Sequence, residues 1–150
     1  MLGYQLAQGA IVADAVFEKL VGGPLQLRPV EYTVLMLVKQ NPGGSPAQLS
    51  KALALTRPNV SLQLDRLEAR GLVTRRRNVN DRRGQHLHVS DAGAALVLRA
   101  TRLLIEGERQ AFTTLSVVEQ LMLTELLHKL ACARGAEMRP APRPPAAATG

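Results

Sequence analysis

Apolar residues recur at helical spacing along most of this chain and give way to strict alternation only once. Leu2, Leu6, Ala10, Ala13, Phe17 and Leu20 form one stripe that halts at Gly22-Gly23-Pro24, which predicts a first helix over about residues 3–21. From Pro29 onward, residues 30–38 are apolar nearly all round, the pattern of a helix buried on several sides, and Asn41-Pro42-Gly43-Gly44 closes it. Ser45-Pro46-Ala47-Gln48 then combines a hydroxyl cap, a proline at the first helical position and an amide three residues after the cap. This capping box predicts a short helix, carrying Leu49, Ala52 and Leu53, that runs to about Ala54. Thr56 is the next cap candidate and Pro58 falls in the following first turn, while Val60, Leu64 and Leu67 share a stripe that Gly71 ends.

The period then changes. Leu72, Val73 and Thr74 start a strand, residues 78–84 hold turn formers, and residues 85–90 alternate apolar with polar, so a hairpin is expected. Ser90 can cap a long helix from about 91 to 112 or 113 that carries Leu96, Leu103 and Ile105. Ser116 with Glu119 is a second capping box, and Leu123, Leu126, Leu127 and Leu130 extend the last stripe to about Ala133. Residues 138–150 are dominated by proline and alanine and are expected to form a disordered tail.

Two short helices joined by about three residues are the layout of a helix-turn-helix or of a plain helical hairpin. At 100° per residue, Pro58, Leu62, Asp65, Arg66 and Ala69 point away from the buried stripe, with Asn59 and Ser61 on its flanks. Charge separates the two layouts. Between Arg57 and Arg83 stand eight arginines (57, 66, 70, 75, 76, 77, 82 and 83) against Asp65, Glu68 and Asp81, which places five of the chain's seven net positive charges in 27 residues. A one-signed cluster attracts polyanions, and arginine can fork onto phosphate or enter a narrow minor groove.

The stretch LALTRPNVSLQLDRLEARGLV (53–73), followed by NDRRG (80–84) and VSDAG (89–93), closely resembles the winged helix-turn-helix of MarR-type bacterial transcriptional regulators. LRPVEYTVL (27–35) is similar to that family's second helix and LSVVEQ (115–120) to the start of its last, so the resemblance spans roughly residues 5–133. It implies a mainly α fold with a small β-hairpin wing, one domain over residues 1–137. The winged helix-turn-helix would occupy about 30–90, and helices 3–21 and 91–133 would form a dimerisation region. The implied function is a homodimeric, ligand-responsive repressor binding an inverted-repeat operator in double-stranded DNA.

Onto this sequence the resemblance carries DNA contacts at Arg57, Asn59, Ser61, Leu62, Arg66, Arg75, Arg77, Arg82 and Arg83, with Asp81 orienting an arginine at the wing tip. Leu62 departs from the polar or basic residue common in relatives and would meet a thymine methyl or stand exposed. Asn59 and Ser61 would read base edges or serve local capping. The family's effectors are small aromatic or lipophilic acids and related metabolites. Leu6, Ala10, Phe17, Arg28 and Tyr32 are the candidates to line an effector cleft, although Arg28 stands where the family usually has a small hydroxyl residue.

Composition narrows the alternatives. At 150 residues with 46% hydrophobic content the chain suits one domain, and with 3% aromatic residues and no tryptophan it lacks platforms for stacking single-stranded bases. A pI near 10.5 favours nucleic acid before anionic membrane. No apolar run reaches spanning length and the amino terminus lacks signal-peptide regions, so a cytoplasmic protein is expected. Glycine-rich phosphate loops and nucleophile motifs are absent from the sequence, so neither an enzyme nor a cofactor is expected. His86 and His88 share a strand face without a completing cysteine or carboxylate pair; they are expected to be solvent-facing or phosphate-contacting rather than metal ligands. His128 is expected to be partly exposed on the last helix. Cys132, the one thiol, is expected to pack at a dimer seam rather than to sense oxidants. A winged protein-interaction module and a metal- or redox-responsive sensor are the competing classes.

Overall fold

A computed structural model describes residues 1–77 and 85–137 of the chain. They fall into two compact units, Met1–Thr113 and a second that begins at Thr114.

In the first unit, α1 (Leu2–Phe17) does not stop at Gly22-Gly23-Pro24 as its pattern predicts. It widens into a π-helical turn, Glu18–Gly22, and continues through a single turn, α2 (Gly23–Leu25). The wider turn places Pro24 in a first turn, where its missing N–H breaks no ladder. The stop falls instead at Gln26, which adopts φ 47°.

Helix α3 (Pro29–Gln40) starts without a hydroxyl cap. Glu31, three residues past the cap position, accepts the Arg28 backbone N–H at 3.0 Å and the Arg28 guanidinium at 2.6 Å. Val34, Leu35 and Val38 bury this helix against the helices over 57–69 and 91–111 and the strand over 85–89. Helix α4 (Pro46–Leu53) carries the expected reciprocal box: the Ser45 N–H donates to Gln48 Oε1 at 2.7 Å and the Gln48 N–H to Ser45 Oγ at 3.3 Å.

After Ala54, in the left-handed region at φ 52°, the chain turns into α5 (Arg57–Ala69). Thr56 takes the cap position, but its side chain makes no cap hydrogen bond. Val60, Leu64 and Leu67 are fully buried, and Gly71 ends the helix at φ 67°. There the Leu72 N–H donates to the Leu67 carbonyl at 2.9 Å, closing the last turn.

Strands β1 (Val73–Arg77) and β2 (Gln85–Val89) pair antiparallel, with Val73 opposite Val89 and Arg77 opposite Gln85. Residues 43–44 pair with β2 as well, through Gly43 N–H to the Leu87 carbonyl and Leu87 N–H to the Gly44 carbonyl, both 2.9 Å. Ser90 then caps α6 (Asp91–Ala111) by accepting the Gly93 N–H at 3.0 Å, while its hydroxyl donates to the Gly71 carbonyl at 2.6 Å. The core gathers Val21, Leu27, Leu35, Leu64, Leu67, Leu87 and Val97 from helices and hairpin together.

The second unit contains α7 (Val117–Glu137), which extends past the predicted end at 133. Its start is the predicted box, with the Ser116 N–H donating to Glu119 Oε2 at 2.7 Å. Glu119's carboxyl lies below the usual range because the Ser116 hydroxyl and backbone N–H both donate to it.

Candidate nucleic-acid interface

Helix α5 turns its apolar stripe inward, and most of its other positions in the first turns face solvent, Gln63 being half-buried. Arg57, Asn59, Ser61, Leu62 and Arg66 are all exposed, and Leu62 retains 45% of its accessible surface. The structure therefore brings these five predicted contacts onto one open helix front. Asp65 and Glu68 stand on the same solvent side.

The basic strand beside that front divides its arginines. Arg76 is exposed, across from His86. Arg75 shares the alternate face with buried Val73, stands opposite fully buried Leu87, and is paired: its Nε donates to Glu68 Oε2 at 2.9 Å and its Nη2 to Asp65 Oδ1. The expected DNA contact at Arg75 thus falls on a guanidinium already bonded to two carboxylates. The signal was available in the alternation, which puts Arg75 on the inward face with Val73. Arg77 ends β1 opposite Gln85, while Asp81, Arg82 and Arg83 lie outside the described residues.

Arg70 has a role the sequence reading did not assign. At the end of α5 it donates to the Gln26 carbonyl at 2.7 Å and the Leu25 carbonyl at 3.2 Å, with Glu31 Oε2 at 3.9 Å. It thus ties α5 to the turn between α2 and α3. His86, half-buried, holds the Gly43 carbonyl at 2.6 Å through Nδ1 and so serves the pairing of β2 with residues 43–44. Among the described residues, no three His, Cys, Asp or Glu side chains stand close enough to hold a metal ion. His128 and Cys132 are exposed one turn apart on α7, with Nε2 and Sγ at 3.5 Å.

The five effector candidates do not form a single lining. Phe17 and Tyr32 meet edge to face at 5.9 Å, and the Tyr32 hydroxyl bonds Thr101 Oγ1 at 2.9 Å. Leu6 and Ala10 lie exposed two to three turns earlier on α1, and the Arg28 guanidinium is held by Glu31. A groove of about 430 Å³ opens elsewhere, between the end of α3, α4 and β2, lined by Leu37, Asn41, Gln48, Leu49 and Leu87 among others and by none of those five.

An open, polar helix front braced against a basic two-stranded hairpin defines a winged helix-turn-helix DNA-binding protein. The sequence pattern of the MarR family matches residues 27–84. The structure superposes on the transcriptional repressor CouR bound to a 23-mer DNA duplex with a TM-score of 0.80, at 32% identity over 87% of this chain and 92% of that one. It also superposes on a mutant MarR from E. coli complexed with operator DNA, with a TM-score of 0.75 at 25% identity, covering 86% and 92% of the two chains. A Thauera aromatica protein described as a candidate transcriptional regulator for the hcr operon is 28% identical over 129 residues, 86% of this chain and 78% of that protein. The chain belongs to the MarR family, and it is a DNA-binding transcriptional regulator.

Proposed function

We propose that this regulator is a homodimeric, ligand-responsive repressor that reads an inverted-repeat operator. The observation that carries the DNA-reading part is the exposed row Arg57, Asn59, Ser61, Leu62 and Arg66 at the front of α5, held beside the strand that leads into the wing. On this reading Asn59, Ser61 and Leu62 meet base edges in the major groove, Arg57 and Arg66 meet phosphates or bases, and Arg77, Arg82 and Arg83 follow the wing to the adjacent minor groove with Asp81 orienting the tip. Repression is supported by the named repressor that shares 32% of its residues with this chain.

Twofold pairing of the chain is supported by the apolar residues left open on α1 and α7, and it demands half-sites about one helical turn, ~10 bp, apart. The protein acts in the cytoplasm, where its DNA lies; no helix among the described residues is long and apolar enough to cross a membrane. The effector is a small aromatic or lipophilic acid. It favours a spacing of recognition helices that no longer fits the grooves, and by linkage DNA weakens its binding by the same factor. The Phe17–Tyr32 contact supports an aromatic ligand, and Arg28 would meet an acid with its Nε and Nη2 already bonded to Glu31.

The test is selection of bound fragments from the source genome, followed by footprinting. A symmetric footprint with two protected half-sites is the expected result, and Asn59→Ala should flatten the base preference at one position by about 1–3 kcal/mol. Equal affinity for all random duplexes would point instead to a protein-interaction module.

A further inference from the structure

We propose that Arg75 is a positioning residue that acts on DNA through Asp65 and Glu68 and does not itself touch a phosphate. The proposal rests on the DNA-binding reading above. Three observations carry it.

The Arg75 side chain is 18% exposed, against 58% for Asp65 and 43% for Glu68, so the cation is the covered member of the trio. Its Nε and Nη2 are both committed, one to each carboxylate. Its strand position, between inward-facing Val73 and across from Leu87, aims it at the helix rather than outward. Burial alone would lower the guanidinium's pKa, but the hydrogen bonds it donates to Asp65 and Glu68 outweigh that and raise the value, so the group stays charged.

Two consequences follow for DNA. Asp65 and Glu68 lie on the solvent side of a helix that approaches a polyanion, where free carboxylates repel. A shared guanidinium offsets part of that charge and turns both groups toward the strand. The same bonds cross from β1 to α5, so the base of the hairpin and the recognition helix approach the duplex as one body. A wing that swung independently would have to be ordered on binding, at a cost in affinity.

A double-mutant cycle on the full chain tests this. Wild type, Arg75→Gln, Asp65→Asn with Glu68→Gln, and the triple variant are each titrated with a duplex that the wild-type protein has selected from a random-sequence library, at several salt concentrations. Arg75→Gln is expected to weaken binding about tenfold in the wild-type background and less than about twofold once both acids are neutral. In that neutral background the salt dependence should not change on losing Arg75. A guanidinium on a phosphate behaves otherwise: the loss is equal in both backgrounds and the salt slope falls by about 0.9 in each. That result overturns the proposal, and so does no loss in either background.

Should Arg75→Gln fail to fold, the variant that keeps Arg75 and neutralises both acids decides. Amide exchange at Val73–Arg77 in the free protein should quicken, and unchanged exchange would sink the proposal. This arm needs no DNA. A library that yields no preferred duplex therefore defeats the DNA-reading function, while the exchange measurement still judges the brace.

Discussion

Glu31 shows how one side chain can serve two elements. It is 4% exposed, and burial alone would raise its carboxyl's pKa. The Arg28 guanidinium and backbone N–H bonded to it, with the charges of Arg28 and Arg70, outweigh burial and hold it below its ordinary value of 4.5. A depressed carboxyl contributes stability that is fully present above 4.5 and lost as pH falls from there through the folded value. Glu31→Gln keeps the cap acceptor and loses the charge, so it should cost roughly 1–2 kcal/mol at neutral pH. Denaturant titrations at descending pH should then give a flatter acid limb for the variant; identical limbs would show that Glu31 does not carry the ion-pair stability. None of this was visible in the pattern, where Arg28 stood as an effector candidate and Arg70 as one more positive charge.

At the scale of elements, hairpin and α6 meet at a close, hydrogen-bonded junction. Ser90 joins three places at once: it accepts from Gly93, donates through its hydroxyl to Gly71, and donates its N–H to Leu72 at 3.0 Å. A Cβ on Gly93 would collide with the Leu72 carbonyl oxygen and reach 2.8 Å from Val89 Cγ1. The first of these is backbone in the strand entry and cannot step aside without moving the hairpin. Gly93→Ala should therefore cost about 1–3 kcal/mol and lower Tm by several degrees in calorimetry; an unchanged Tm would mean that the junction relaxes freely.

Caps and stops were legible to different degrees, for a local reason. The boxes at Ser45 and Ser116 involve residues three apart, and both formed as the pattern predicts. The halt at Gly22-Gly23-Pro24 failed because a π-helical turn shifted the register by a residue, and Thr56 holds its place without the hydrogen bond.

At the scale of the whole molecule, the apolar surface is out of balance. Leu2, Tyr4, Ile11 and Val12 on α1 are exposed, as are Val117, Leu121, Met122, Leu126 and Leu130 on α7. A single chain in water rarely leaves so many large apolar groups open, and pairing of two copies is the economical way to cover them. Sedimentation equilibrium should return a dimer. Leu126→Glu, which places a charge on α7 where Leu126 is 50% exposed in one chain, should shift the equilibrium to monomer and weaken operator binding at least about tenfold. A wild-type chain that sediments as a monomer at all concentrations would refute the twofold arrangement.

By itself the sequence determined what depends on near neighbours: the helical stripes, the serine caps, the alternating hairpin, the left-handed Gly71 and the sign of charge around α5. Those follow from steric and hydrogen-bonding preferences that act over a few residues. Tertiary structure decided which partners hold the paired arginines among the described residues. Arg75 meets carboxylates seven and ten residues away, and Arg70 meets carbonyls 44 and 45 residues away. Alternation along β1 gives Arg75 its inward face, but which carboxylates or carbonyls a guanidinium then meets is a matter of distances across the fold that no periodicity encodes.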